Sequence, residues 1–253
     1  MGKDILELNN IFYSYHSLQG ETEVLRNLSF HVKEGEFLAI VGPSGCGKST
    51  LLSLIAGLLL PKKGTITFFG TTMGYMLQKD HLFDWLSIYD NITLGCKINH
   101  LKESSYQENI KELLNSFELT DFAAKRPCEL SGGMRQRAAL IRTLALNPQL
   151  ILLDEPFSAL DYQTRLSVSL DICRTIRKAE KSAILITHDL SEALRLGDRI
   201  LVLSKRPSQI CLEVEVPKYK KTTDQDSSDE ILDITTDSRY HELFQMLWKA
   251  LGK

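Results

Sequence analysis

Apolar and polar positions alternate in short runs over residues 5–41, in ILELNNIFYSY, NLSFHV and EFLAIVG, which predicts strands separated by turns at Gly20 and at Lys33-Glu34-Gly35. The apolar stretch KSTLLSLIAGLLL predicts a helix that ends near PKKG, and TITFFG and MGYML predict two more short strands. From about Ser87 to Asn147 the period changes. ENIKELLNSFEL and GMRQRAALIRTLAL have helical spacing with hardly any β-branched runs between them, so a helical subdomain is predicted. The chain then returns to alternation: LILLDEP, a helix through YQTRLSVSLDICRTIRKAE, SAILITHD, a helix through LSEALRLG, and RILVLS. Strands alternating with helices in this way imply βα units on a mixed, largely parallel sheet.

Beyond Val216 the pattern is different again. KKTTDQDSSDE is polar and charged and reads as a solvated linker. SRYHELFQMLWKAL follows with Leu243, Phe244, Met246, Leu247 and Leu251 at helical spacing, a C-terminal helix expected to pack on its own domain.

Composition narrows the function classes. The 253 residues are 43% hydrophobic and 25% charged, which is globular and long enough for one large core with an inserted or appended subdomain. The net charge of -2 arises from 30 basic and 32 acidic residues mixed along the chain, so no nucleic-acid partner is expected. Five scattered cysteines without metal-ligand spacing read as reduced thiols of an intracellular protein. The N-terminal stretch lacks an apolar signal core, and the apolar runs are interrupted or about half of the ~20 residues a membrane span needs. A soluble, cytosolic chain is expected, with any membrane role exerted through a partner.

Gly42-Pro43-Ser44-Gly45-Cys46-Gly47-Lys48-Ser49, followed by Thr50, fits G-x-x-x-x-G-K-[ST] between an apolar strand and an apolar helix, the context this phosphate-binding loop requires. Its backbone N–H groups and the helix N-terminus face phosphate oxygens, Lys48 reaches the β/γ-phosphates, and the Ser49 hydroxyl ligates Mg²⁺. Asp154 and Glu155 close the apolar strand LILLDEP. In P-loop enzymes the aspartate at this point holds the Mg²⁺ shell. For Glu155 two readings stand: a general base for the attacking water, or a salt-bridged acid at a strand end. His188 closes another apolar strand at the sheet edge where α/β proteins place ligands, which sets a γ-phosphate contact against a structural histidine. Asp189 and Glu192 have the spacing of a helix capping box. A second helix start, LSGGMRQR, has two glycines followed by Arg135 and Arg137 and also has the form of a phosphate site.

Taken together, these motifs resemble the nucleotide-binding subunit of ABC transporters, over nearly the whole chain: Walker A (Gly42 to Thr50), a Q-loop glutamine (Gln78), the signature LSGGM, Walker B (LILLDEP), a D-loop (Ser158 to Asp161) and a switch histidine (His188). LFDWLSIYDNI, LSGGMRQR and VLSKRPSQI look most like the nitrate, sulfonate and taurine importer branch. One departure is the short connection between the Walker A helix and Gln78.

The resemblance implies a P-loop NTPase (RecA-like) α/β core with an N-terminal antiparallel β subdomain. Core and β subdomain would comprise residues 1–80 and 149–215, the inserted helical signature subdomain 81–148, and the acidic linker and C-terminal helix 216–253. It implies Mg²⁺ and ATP bound by the Walker A residues, Gln78 and Asp154. Catalysis would involve Glu155, His188, Gln78 and Lys48. It also implies a head-to-tail pair of such subunits in which Ser131, Gly132 and Gly133 bind the γ-phosphate of ATP held on the partner, with Asp161 at the same interface. Arg135 and Arg137, further along the helix, are then left for surface or subdomain contacts. An aromatic residue would stack on adenine, Tyr15 matching best and Tyr13 next, with a plain core tyrosine as the alternative for either. Transmembrane permease subunits would dock near Leu82, Phe83 and Trp85, unless these three form local core. An extracytoplasmic solute-binding protein would supply the solute, and the chain would lie peripherally on the cytoplasmic side of the membrane. An exporter subunit and a non-transport ABC ATPase are the competing readings.

Overall fold

The computed structural model describes residues 2–18, 20–158, 160–217 and 238–252, so the polar linker predicted after Val216 lies almost wholly outside the described residues, as does Ala159 of the D-loop. Two sheets form. In the first, β1 (Asp4–Ser17) lies between β2 (Gly20–Lys33) and β4 (Lys63–Phe68), antiparallel to both. The second has the order β5 (Met73–Met76), β6 (Leu150–Asp154), β7 (Ser182–Thr187), β3 (Phe37–Val41), β8 (Arg199–Leu203) and β9 (Ile210–Glu215). Its strands are parallel except β9, which pairs antiparallel with β8 at the edge.

Strands β3, β6, β7 and β8 are buried at every position, as continuous apolar runs should be in a parallel sheet covered on both faces. Successive residues enter different cores. Ile151, Leu153, Ala183 and Leu185 pack with the helices between β5 and β6, whereas Leu150, Leu152, Ile184 and Ile186 pack with the antiparallel sheet and the helix after β3. This period-two division of side chains locks the strand register.

That helix, α1 (Lys48–Ile55), is shorter than the apolar run predicts. Gly57 takes φ 72°, its N–H bonds Leu54 O at 3.1 Å, and Leu58 N–H bonds Ser53 O at 2.9 Å, a Schellman arrangement that stops the helix. Leu58 and Leu60 are consequently exposed. Between β5 and β6 come α2 (Ile88–Ile98), α3 (Gln107–Ser116) and α4 (Gly132–Leu144), and after β6 come α5 (Tyr162–Lys178) and α6 (Leu190–Leu196). The C-terminal helix α7 (Ser238–Ala250) buries Tyr240 and Leu247 against Leu190 and Leu194 of α6, packing on its own domain as expected.

Candidate functional site

The site lies at the C-terminal ends of β3, β6 and β7, where the parallel strands stop and the chain turns away. After β3, residues 42–47 wrap into a loop that leads straight into α1. Gly47, at the helix start, has φ 116°, and a Cβ there would stand 2.5 Å from Val24 Cγ1, so a side chain would be strained and would force Val24 to move. No side chain caps α1, which leaves its first N–H groups facing the hollow of the loop. Lys48 Nζ is buried and folds back over that hollow, donating to Gly42 O at 2.8 Å and Pro43 O at 3.1 Å.

Directly beneath, Ser49 Oγ donates to Asp154 Oδ1 at 3.2 Å. Asp154 is buried, and burial pushes its carboxyl above the usual carboxylate range despite the Ser49 hydrogen bond and the nearby Lys48 charge. The next residue, Glu155, has φ 44°, a left-handed conformation unusual for a glutamate, while its N–H is held by Ile186 O at 2.9 Å. Its side chain, no longer in line with the strand, meets two others: Gln78 Nε2 donates to Glu155 Oε2 at 3.3 Å, and His188 Nδ1 lies 3.3 Å from the same oxygen.

Tyr15 at the end of β1 is exposed, with its hydroxyl 3.2 Å from Thr50 Oγ1 and its ring edge-on to Tyr13 at 5.0 Å. Tyr13 is partly buried and packs against the core shared by the two sheets. Of the two predicted aromatics, therefore, Tyr15 is the one that presents a free ring face beside α1.

Ser131, Gly132, Gly133 and Asp161 do not join this group. Ser131 caps α4, accepting Met134 N at 3.3 Å, and a Cβ on Gly132 would meet nothing within 4 Å. Asp161 caps α5 by accepting Thr164 N at 3.1 Å. Among the described residues no hydrogen bond or ion pair joins Ser131, Gly132 or Gly133 to the loop at 42–50. At the α4 start Ser131 and Gly132 are instead exposed, while Gly133 lies against Thr164 and Leu160.

Two residues that the motif reading passed over, Asp80 and Arg142, tie α4 to the segment just after Gln78. Asp80 makes a bidentate pair with Arg135 (Nε to Oδ2 2.9 Å, Nη2 to Oδ1 3.2 Å), and Arg142 donates to Asp80 O and His81 O at 2.6 and 2.7 Å. Burial raises the Asp80 carboxyl, but the Arg135 and Leu82 hydrogen bonds outweigh it and hold the group below its ordinary value. Arg137 bonds Phe117 O and Glu118, so both arginines make subdomain contacts, as the sequence led us to expect. Asp189 caps α6, but Glu192 does not reach back to it as a capping box would. Asp189 N–H goes to Thr187 Oγ1 at 3.1 Å, and Thr187 Oγ1 donates to Glu192 Oε2. Of the apolar trio, Leu82 is buried while Phe83 and Trp85 are exposed, their rings 4.9 Å apart. The loop that holds them is pinned by Asn91, whose Oδ1 accepts Phe83 N at 2.7 Å.

Comparison with known proteins gives a consistent picture. The family model described as ABC transporter matches residues 25–158. The chain is 42% identical over 254 residues to the uncharacterized ABC transporter ATP-binding protein YtlC of Bacillus subtilis (strain 168), covering 98% of this chain and 95% of that one. It is 40% identical over 220 residues to the taurine import ATP-binding protein TauB of Ruegeria pomeroyi, covering 84% and 82%. Among solved structures, the dimeric post-hydrolysis state of the ATP-binding cassette MJ0796 bound to ADP and Pi superposes with a TM-score of 0.75 at 29% identity, over 85% of this chain and 100% of that one.

Proposed function

This chain belongs to the ABC transporter family, and from that premise we propose that it is the ATP-hydrolysing subunit of an importer for a small anion or organic solute of the nitrate, sulfonate and taurine class. The observation that carries the reading is the meeting of Gln78 and His188 on the Glu155 carboxylate, beside the Ser49–Asp154 pair and the open N-terminus of α1. Among the described residues no other part brings a phosphate cradle, oxygen donors and a carboxylate to one sheet edge.

The oxygen donors suit Mg²⁺. Ser49 Oγ and the buried Asp154 carboxylate are 3.2 Å apart, both hard ligands. Ser49 and Asp154 would hold it, with Gln78 alongside. When bound, it would supply neutralisation of the phosphate charge.

The chain's own groups then divide the work. Backbone N–H groups of residues 42–50 bind the phosphates, and Lys48 swings from the Gly42 and Pro43 carbonyls onto the β/γ-phosphates. Tyr15 stacks on the adenine, and its hydroxyl stays near Thr50. Glu155 accepts the proton of the attacking water, while Gln78 and His188 hold the carboxylate in line and His188 faces the γ-phosphoryl.

Ser131, Gly132, Gly133 and the α4 N-terminus bind the γ-phosphate of ATP held by a second copy, placed head-to-tail, with Asp161 reaching the same interface. One loop and one signature per chain fit a two-fold pair in which each is used twice. Residues 81–148 act as the helical subdomain that moves against residues 1–80 and 149–215, with Asp80 and Arg135 at the join. The exposed Phe83–Trp85 pair is the apolar contact for a transmembrane permease subunit, through which the chain attaches to the cytoplasmic side of the membrane. Among the described residues no helix is long and apolar enough to cross a membrane. An extracytoplasmic binding protein delivers the solute.

The test is reconstitution of this chain with its permease partner in vesicles, measuring phosphate release and uptake of taurine, an alkanesulfonate and nitrate. Solute uptake that requires ATP and is abolished by Lys48→Ala supports the proposal. Phosphate release unconnected to any uptake overturns the transport half, and no Mg-ATP hydrolysis overturns the whole.

A further inference from the structure

Behind the Glu155–His188 contact is a small cavity bounded by the loop after β6, the end of β7 and the first turns of α5 and α6, with about 10 Å³ open to the centre of a water molecule. That is room for a single water. Among the described residues, Arg165 Nε and Glu192 Oε1 are buried without a hydrogen-bond partner, and both residues line this cavity. Each side chain is otherwise well anchored. Glu192 Oε2 accepts Thr187 Oγ1, and the residue is 8% exposed. Arg165 Nη2 donates to Leu160 O at 2.9 Å, and Nη1 lies 3.7 Å from Asp189 Oδ2. One end of each group is fixed to its own loop, and both residues line the same space. A guanidinium N–H and a carboxylate oxygen left unpaired in a buried place are costly, and a bridging water satisfies both at once.

We propose that a water in this cavity joins Arg165 Nε to Glu192 Oε1, and that Arg165 and Glu192 form a positioning pair that ties the Glu155–Leu160 loop to the strand end carrying His188. The proposal rests on the ATPase reading above and deepens it. Glu155 and His188 belong to different loops, and a general base must be held in hydrogen-bond reach of its water. The direct contact between them is a single 3.3 Å approach. The pair beneath supplies a second tie, from Leu160 O through Arg165, the water, Glu192 and Thr187 to the backbone of Asp189. Neither side chain touches the reacting atoms.

The charges facing Glu192 are Asp189 and Glu155, which oppose its ionisation, and Arg165, which favours it, with His188 on the same cavity wall. Burial dominates and pushes the acid up to about 7. Above that pH the carboxylate is the stronger acceptor for the water, and below it the tie loosens.

The full-length chain and the variants Glu192→Gln, Arg165→Met, their double and Arg165→Lys are compared by steady-state hydrolysis of Mg-ATP from pH 6 to 9, and by deuterium exchange at the Ser158 and Leu160 amides. Each single variant is expected to lower kcat about tenfold at pH 8 with KM within twofold, and the double to be no worse than Arg165→Met alone. Arg165→Lys should recover part of the rate. Wild-type kcat should fall below about pH 7, while Glu192→Gln stays flat. Glu192→Gln, although placed on α6, should speed exchange at Ser158 and Leu160 at least fivefold. Independent, multiplying losses of kcat, or unchanged exchange at those two amides, would overturn the proposal. Should Glu192→Gln not fold, the Arg165 variants decide by the same two readouts. Exchange does not depend on turnover, so a wild-type chain that hydrolyses no ATP contradicts the ATPase reading and leaves this one to be judged by exchange.

Discussion

His188 Nδ1 lies 3.3 Å from Glu155 Oε2, the oxygen that also accepts Gln78 Nε2, so the segments after β7 and β5 meet on the carboxylate of the residue that follows β6. Glu155 reaches both partners because its φ of 44° turns the side chain out of the strand direction. Such strain persists only where surrounding structure imposes it, and here it directs the carboxylate toward Gln78 and His188.

Replacing Glu155 by Gln keeps the shape and removes the proton acceptor. Mg-ATP binding should survive and turnover should fall by about a hundredfold to ten-thousandfold, the usual contribution of a positioned base. Phosphate release measured beside nucleotide affinity checks this, and near-normal turnover removes Glu155 from the role.

Tyr15 and Tyr13 separate cleanly by what each touches. Tyr15→Ala should weaken ATP binding roughly tenfold with little change in melting temperature, since a stacked base is worth about 1–3 kcal/mol and the ring is exposed. Tyr13→Ala should instead lower the melting temperature, because that ring packs on the core. The reverse pattern would assign the adenine contact to Tyr13.

Asp80→Asn breaks the bidentate pair with Arg135 and should cost about 1 kcal/mol in urea unfolding, modest because both side chains keep some exposure. The Asp80 carboxyl is held below its ordinary value of 3.8, so its contribution is present above that pH and is lost as pH falls through the lowered value. The wild-type advantage over Asp80→Asn should accordingly vanish in acid.

Glu192 has the opposite sign. Burial raises its acid from 4.5 to about 7, so the folded state favours the proton, and the contribution is present below 4.5 and lost as pH rises through about 7. Between pH 8 and pH 6 wild type should gain about 1 kcal/mol relative to Glu192→Gln, which has no proton to take up. Parallel stability curves for the two proteins would contradict the buried, protonatable carboxyl.

Much of the architecture was legible in the pattern of the chain. Fully apolar runs gave the buried strands, and residues at their C-terminal ends, Lys48, Asp154, Glu155 and His188, were identified by motif. What was missed depends on contacts that leave no periodic trace. The apolar run after Lys48 continues past Ile55, but the left-handed Gly57 stops the helix inside it. Asp80 finds Arg135 and Arg142 only because the chain folds back after α2 and α3. Glu192 has capping-box spacing, yet Thr187 intercepts the Asp189 N–H it would have met and takes its carboxylate as well. Leu82, Phe83 and Trp85 look alike in sequence, and it is the Asn91 side chain holding their loop that buries the first and exposes the others.

In the proposed head-to-tail pair each chain carries half of two ATP sites, with the exposed α4 start of one copy completing the loop at 42–50 of the other. It is tested most directly by light scattering on Glu155→Gln, which binds Mg-ATP without consuming it. The account predicts a mass of twice the 28.6 kDa chain with Mg-ATP, the single-chain mass without it, and no dimer when Ser131→Arg is added to the Glu155→Gln chain. A single-chain mass with Mg-ATP demonstrably bound, or a dimer indifferent to Ser131→Arg, would contradict it.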